Sequence, residues 1–75
     1  SEKARERFRS YNSYRELDRY HEQVHSSAKA AVVAFNDHDI PQAEIHLNEI
    51  EQASNKVLYY LNELIESLRK EREII

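Results

Sequence analysis

Asn36-Asp37-His38-Asp39-Ile40-Pro41-Gln42 is the stretch on which the fold turns. Asp39 stands where a helix N-cap accepts hydrogen bonds from unpaired backbone N–H groups. Pro41 suits a first helical turn, where its missing N–H costs nothing, and Gln42 occupies the place that reaches back in a capping box. A helix therefore begins at about residue 40, and the polar run Asn36-Asp37-His38 ends the one before it. Downstream, Ala43, Leu47, Ile50, Ser54, Val57, Leu61, Leu64 and Leu68 alternate at spacings of four and three, with Leu58 and Ile65 widening the stripe. Glu66 lies four residues before Lys70, and Arg69, Lys70 and Arg72 suit the negative end of a helix running to about residue 73. Upstream, Leu17, His21, Val24, Ala28, Ala31 and Phe35 keep the same alternation. Ala4, Phe8, Tyr11 and Tyr14 continue it less regularly, so the first helix is expected over about residues 2–36.

Two helices joined by a turn at about residues 37–39 must fold back on one another. The expected fold is all-α, a long antiparallel helical hairpin about 50 Å in length by helical rise. The reverse register brings Ala31 near Leu47, Val24 near Ser54, His21 near Val57 and Leu17 near Leu61. A single hairpin covers one seam per helix and leaves Leu58, Ile65, Ile45 and several tyrosines partly uncovered. The sequence thus predicts a homodimer closing into a four-helix bundle.

Composition agrees and excludes other classes. The 75 residues support one small domain, and with no Gly, one Pro and 33% charged residues the chain lacks the punctuation that sheets need. Without Cys it builds neither a disulfide nor a thiolate metal site. No apolar run approaches the ~20 residues of a membrane span. The net charge of -3 is uneven: residues 1–38 carry seven Lys/Arg and six Asp/Glu, residues 39–75 four and eight. Lys3, Arg5, Arg7 and Arg9 are interrupted by Glu2 and Glu6, which argues against the unbroken basic face of a nucleic-acid binder. No glycine-rich phosphate loop, Cys nucleophile or paired Glu-x-x-His motif is present, so an enzyme is not expected.

The constellation that carries chemistry is Asp18-Arg19-Tyr20-His21-Glu22-Gln23-Val24-His25. Two imidazoles one turn apart, with Asp18 a turn before them, can approach one metal ion from a single helix face, zinc among the candidates. The same residues permit three other readings. The histidines can be seam residues hydrogen-bonded to Ser54, Tyr60 or a carboxylate; they can sense pH beside Asp18 and Glu22; or His21, His25 and Arg19 can hold a small anion, with Ser54 on the facing helix. Zinc needs three or four ligands, which Asp18, Glu22 or a symmetry-related histidine pair would complete.

Tyr20-His21-Glu22-Gln23-Val24-His25-Ser26-Ser27-Ala28, followed by a polar break ending in Asp39 and then Ala43, Leu47, Ser54, Val57 and Leu61, resembles the carboxy-terminal half of the chemoreceptor zinc-binding domains of bacterial chemoreceptors and diguanylate cyclases. The likeness spans roughly Tyr14 to Ile65. It implies a sensory input module in which His21 and His25 are two zinc ligands. The family's remaining ligands, a histidine and a cysteine, come from helices upstream of this region, and this chain has no Cys. In architecture the hairpin is also similar to the helical sensor modules of chemoreceptors and sensor kinases, which dimerise as four-helix bundles. The expected function is thus a sensory or regulatory input to attached signalling domains of a larger bacterial receptor, in chemotaxis or a related pathway, on either side of the membrane. The alternative is a structural dimerisation or adaptor hairpin that binds no ligand.

Overall fold

Three residues, Asp37, His38 and Asp39, reverse the chain between α1 (Asn12–Asn36) and α2 (Ile40–Ile74) in the computed structural model, which describes residues 10–74. The Asp39 N–H donates to the Ala34 carbonyl at 2.8 Å and the His38 N–H to Phe35 at 3.0 Å, the paired bonds of a Schellman motif. That motif requires a left-handed residue just past the helix, usually glycine. The chain has none, and His38 takes the conformation at φ 60°. Asp39 then starts the next helix. Its carboxylate accepts from the Gln42 N–H at 3.3 Å and its carbonyl from the Ala43 N–H at 3.0 Å, as the capping signal predicts. One aspartate thus closes α1 through its N–H and opens α2 through its side chain and carbonyl.

At the other end, Tyr11 is extended (φ -76°, ψ 131°) and caps α1 without a side-chain bond. The continuous helix therefore starts at Asn12 instead of running through from about residue 2. Tyr11 is held by a long-range contact, its hydroxyl donating to the Glu71 carboxylate on α2. Ala4, Phe8 and the Lys3 to Arg9 cluster lie outside the described residues.

The inner seam departs from the expected one in a regular way. Buried side chains are Ser27, Ala31 and Ala34 on α1 and Ala43 and Ala53 on α2, with Leu17, Tyr20, Val24, His46, Ile50, Val57, Tyr60, Leu64 and Ser67 half-buried beside them. Most of the expected positions are buried or half-buried: Leu17, Val24, Ala28, Ala31, Ala43, Ile50, Ser54, Val57, Leu64 and Leu68. The other four, His21, Phe35, Leu47 and Leu61, are exposed, and the residue before each lies in the seam instead. Tyr20 replaces His21, Ala34 replaces Phe35, His46 replaces Leu47 and Tyr60 replaces Leu61, while Ser27 and Ala53 are buried more deeply than the neighbouring Ala28 and Ser54. Each helix is rotated so that small residues meet, which lets the two backbones approach and interlock closely. Near the turn the seam is alanine. Toward the open end Tyr20 stacks on Tyr60 with ring centroids 5.9 Å apart, and Tyr60 meets Tyr59 edge to face at 5.0 Å. No buried side-chain nitrogen or oxygen among the described residues lacks a partner.

The molecule measures 56 × 22 × 13 Å, two helices wide and one thick. Large apolar side chains consequently stay in solvent. Val32 is 59% exposed, Phe35 64%, Leu47 56% and Leu58 59%, and Ile40, Leu61 and Ile65 are exposed with them. By heptad position all seven belong to one face of the hairpin. Val32, Phe35 and Leu47 line a shallow groove of about 230 Å³ there, together with Ala31 and Ala43. Val33, Ile45 and Tyr59 are exposed on the opposite face.

Candidate functional site

His21 and His25 both point into solvent from the middle of α1, because the one-residue rotation of the seam moves His21 out of it. Their Nε2 atoms are 3.2 Å apart, and the rings meet edge-on with centroids 4.6 Å apart and planes at 70°. Two neutral rings can hold this geometry with one Nε2–H donating to the other Nε2; two imidazolium rings cannot, since both would be donors. A metal ion satisfies it as well. A tetrahedral ion with bonds of about 2.0–2.1 Å separates two ligand nitrogens by about 3.3 Å. The separation of the two nitrogens is therefore close to that of a bidentate chelate.

The structure does not gather the other expected residues around this pair. Among the described residues no group of three or more His, Cys, Asp or Glu side chains is close enough to hold a metal ion, so Asp18 and Glu22 stay outside a shared shell. Arg19 is committed elsewhere: its guanidinium bonds Glu16 at 2.6 Å and lies 4.4 Å from the centre of the Tyr20 ring. The hydrogen bond and the charge of Glu16 hold Arg19 above its already high ordinary pKa, so it stays a cation. Ser54 is half-buried on α2, next to the seam residue Ala53. The remaining histidines are remote in role. His38 forms the turn, and His46 bonds Glu49 at 2.6 Å through Nδ1.

Two features escape the sequence reading. The first is a cleft of about 390 Å³ at the open end, on the face opposite the apolar one, lined by Tyr11, Asn12, Ser13, Tyr59, Tyr60, Glu63 and Ser67. The second is how much of the apolar stripe lies outside: Phe35, Leu47 and Leu61 face solvent, beside Val32. Its signal was present in the sequence, since an alanine or serine precedes Ala28, Phe35 and Ser54 by one residue and offers a second, tighter stripe. Among the described residues no helix is long and apolar enough to cross a membrane. No family model matches the chain, and neither the curated proteins nor the solved structures yield a match.

Proposed function

We propose that the chain is a sensory or regulatory input hairpin of a bacterial signalling protein, acting as a homodimer and taking a metal ion, zinc by the chemistry of its donors, through His21 and His25. The observation that carries this reading is the 3.2 Å separation of the two Nε2 atoms on one exposed helix face. Paired imidazoles suit zinc, a borderline ion that accepts nitrogen ligands in tetrahedral geometry. The resemblance of Tyr20 to Ala28 to chemoreceptor zinc-binding domains supports the same ion and supplies the signalling context, within a larger receptor that carries the output domains. Bridging two successive turns at the middle of α1 stiffens that helix. In a four-helix bundle, ligands drawn from a second hairpin would change the spacing of the helices, and continuous helices pass such a shift along their length to attached domains.

Calorimetric titration of the chain with zinc, together with melting curves, tests the reading. Saturable binding and a melting temperature raised by several degrees are expected. His21→Ala or His25→Ala abolishes both effects, while His38→Ala and His46→Ala leave the zinc-dependent rise unchanged. Ligation needs neutral imidazole, so protons compete with zinc and affinity falls as the solution is acidified. A wild-type chain showing neither heat nor a shift in melting overturns the metal reading. In that event the second reading, a structural dimerisation or adaptor hairpin without a ligand, is favoured by the seven large apolar side chains exposed on one face.

A further inference from the structure

We infer that a second copy of the chain covers the apolar face, laid turn beside turn so that α1 of each hairpin rests on α2 of the other. This deepens the pairing half of the function proposed above and does not depend on its metal half. α1 is 25 residues long, about 37 Å by helical rise, and the hairpin is 22 Å wide. Two copies overlapping along α1 therefore cover about 800 Å² on each, the size of a stable interface. Val32, Phe35 and Leu47 surround the groove over Ala31 and Ala43 beside the turn, and Leu58, Leu61 and Ile65 continue the exposed stripe along α2. A contiguous apolar stripe of this length marks a surface that another chain covers.

The levels of the side chains select the direction. Tyr20 stacks on Tyr60 across the hairpin, so residues of α1 and α2 whose numbers add to about 80 share a level. A twofold axis running along the hairpin keeps those levels between copies. On the inner row Phe35 then meets the second copy's Leu47, Ala28 its Ser54, His21 its Leu61 and Tyr14 its Leu68. On the outer row Val32 lies between the second copy's Leu47 and Glu51, His25 beside its Leu58 and Asp18 beside its Ile65, all within one turn. Asp18 and Glu51 belong to that outer row, where carboxylates form a hydrated rim. Ile40 alone stays at the edge, level with the turn. Both large apolar side chains that α1 exposes on this face, Val32 and Phe35, are at its turn end. Turned end for end, the second copy would lay its α1 on α1, and these two would meet its first turns, where this face carries Tyr14 and Asp18 in place of an apolar groove.

The covered face includes the histidines. His21 and His25 share heptad positions with Phe35 and Val32, so in the pair of hairpins the two imidazole pairs stand at one level on either side of the twofold axis.

The arrangement is testable on the metal-free chain in chelator, which separates its failure from that of the zinc reading. Sedimentation at about 100 µM is expected to show a dimer. Leu47→Arg should weaken dimerisation at least about 10-fold, and Ile45→Arg, on the opposite face, should leave it unchanged; both positions are exposed, so the hairpin core stays intact. Because the chain has no Cys, introduced thiols report geometry cleanly. An Asp18→Cys, Ile65→Cys double variant should form a covalent dimer under mild oxidation, and so should Val32→Cys with Glu51→Cys. Within one hairpin the two thiols of either variant stand on opposite margins and cannot meet. Leu58→Cys alone should stay unlinked, because turn-beside-turn copies hold their Leu58 side chains on opposite edges of the bundle. A helical monomer at that concentration, an equal loss of pairing in Ile45→Arg, no linked dimer from either double variant, or ready self-linking of Leu58→Cys each overturns the inference.

Discussion

The seam between the two helices and the face beside it invert the usual placement of residues by size. Inside, the buried positions are Ser27, Ala31, Ala34, Ala43 and Ala53; outside, Val32, Phe35, Leu47, Leu58 and Leu61 stand in solvent. A core of small side chains holds the hairpin by close backbone approach, while the larger transfer free energy of the big side chains is left unspent. A hairpin built this way is tightly registered but marginal by itself, because its large apolar side chains contribute little while they stay in solvent.

Substitutions at matched positions give the sharpest contrast. Ala53 is 2% exposed, and Ala53→Leu forces a branched side chain into a closed seam; a loss of roughly 2–3 kcal/mol is expected in denaturant unfolding. Leu61→Ala removes a larger side chain from a position 40% exposed, and should cost below about 1 kcal/mol in the dilute chain. If the outer face is an interface, that second cost grows with protein concentration while the first does not. Equal and concentration-independent losses would erase the distinction between seam and face.

Smaller effects test the turn that sets the register of both. Asp39→Ala removes the acceptor that meets the Gln42 N–H and should cost about 1 kcal/mol. His38→Gly should stabilise by about 0.5 kcal/mol, because the left-handed conformation at φ 60° strains a residue bearing Cβ more than the added flexibility of glycine costs. A destabilised His38→Gly chain would mean that the imidazole makes a contribution beyond the turn.

Sequence alone determined the helical class, the turn at residues 37–39 and the start of α2. Each rests on local chemistry: absent glycine, a capping aspartate, a proline where no N–H is needed and an apolar repeat of four and three. The pairing of His21 with His25 was equally legible, because side chains four apart on a helix are neighbours whatever surrounds them. The tertiary structure decided which of two overlapping stripes faces inward. Ala28 or Ser27, Phe35 or Ala34, and Leu47 or His46 satisfy the same periodicity one residue apart, and periodicity cannot choose between them. Close approach of two backbones favours the smaller member at the alanine positions, and that rotation carries His21 and the large apolar side chains to the outside. The break at Tyr11 was hidden for a related reason: its hydroxyl is anchored to Glu71 across the whole length of the chain, a contact that exists only once the helices are folded together.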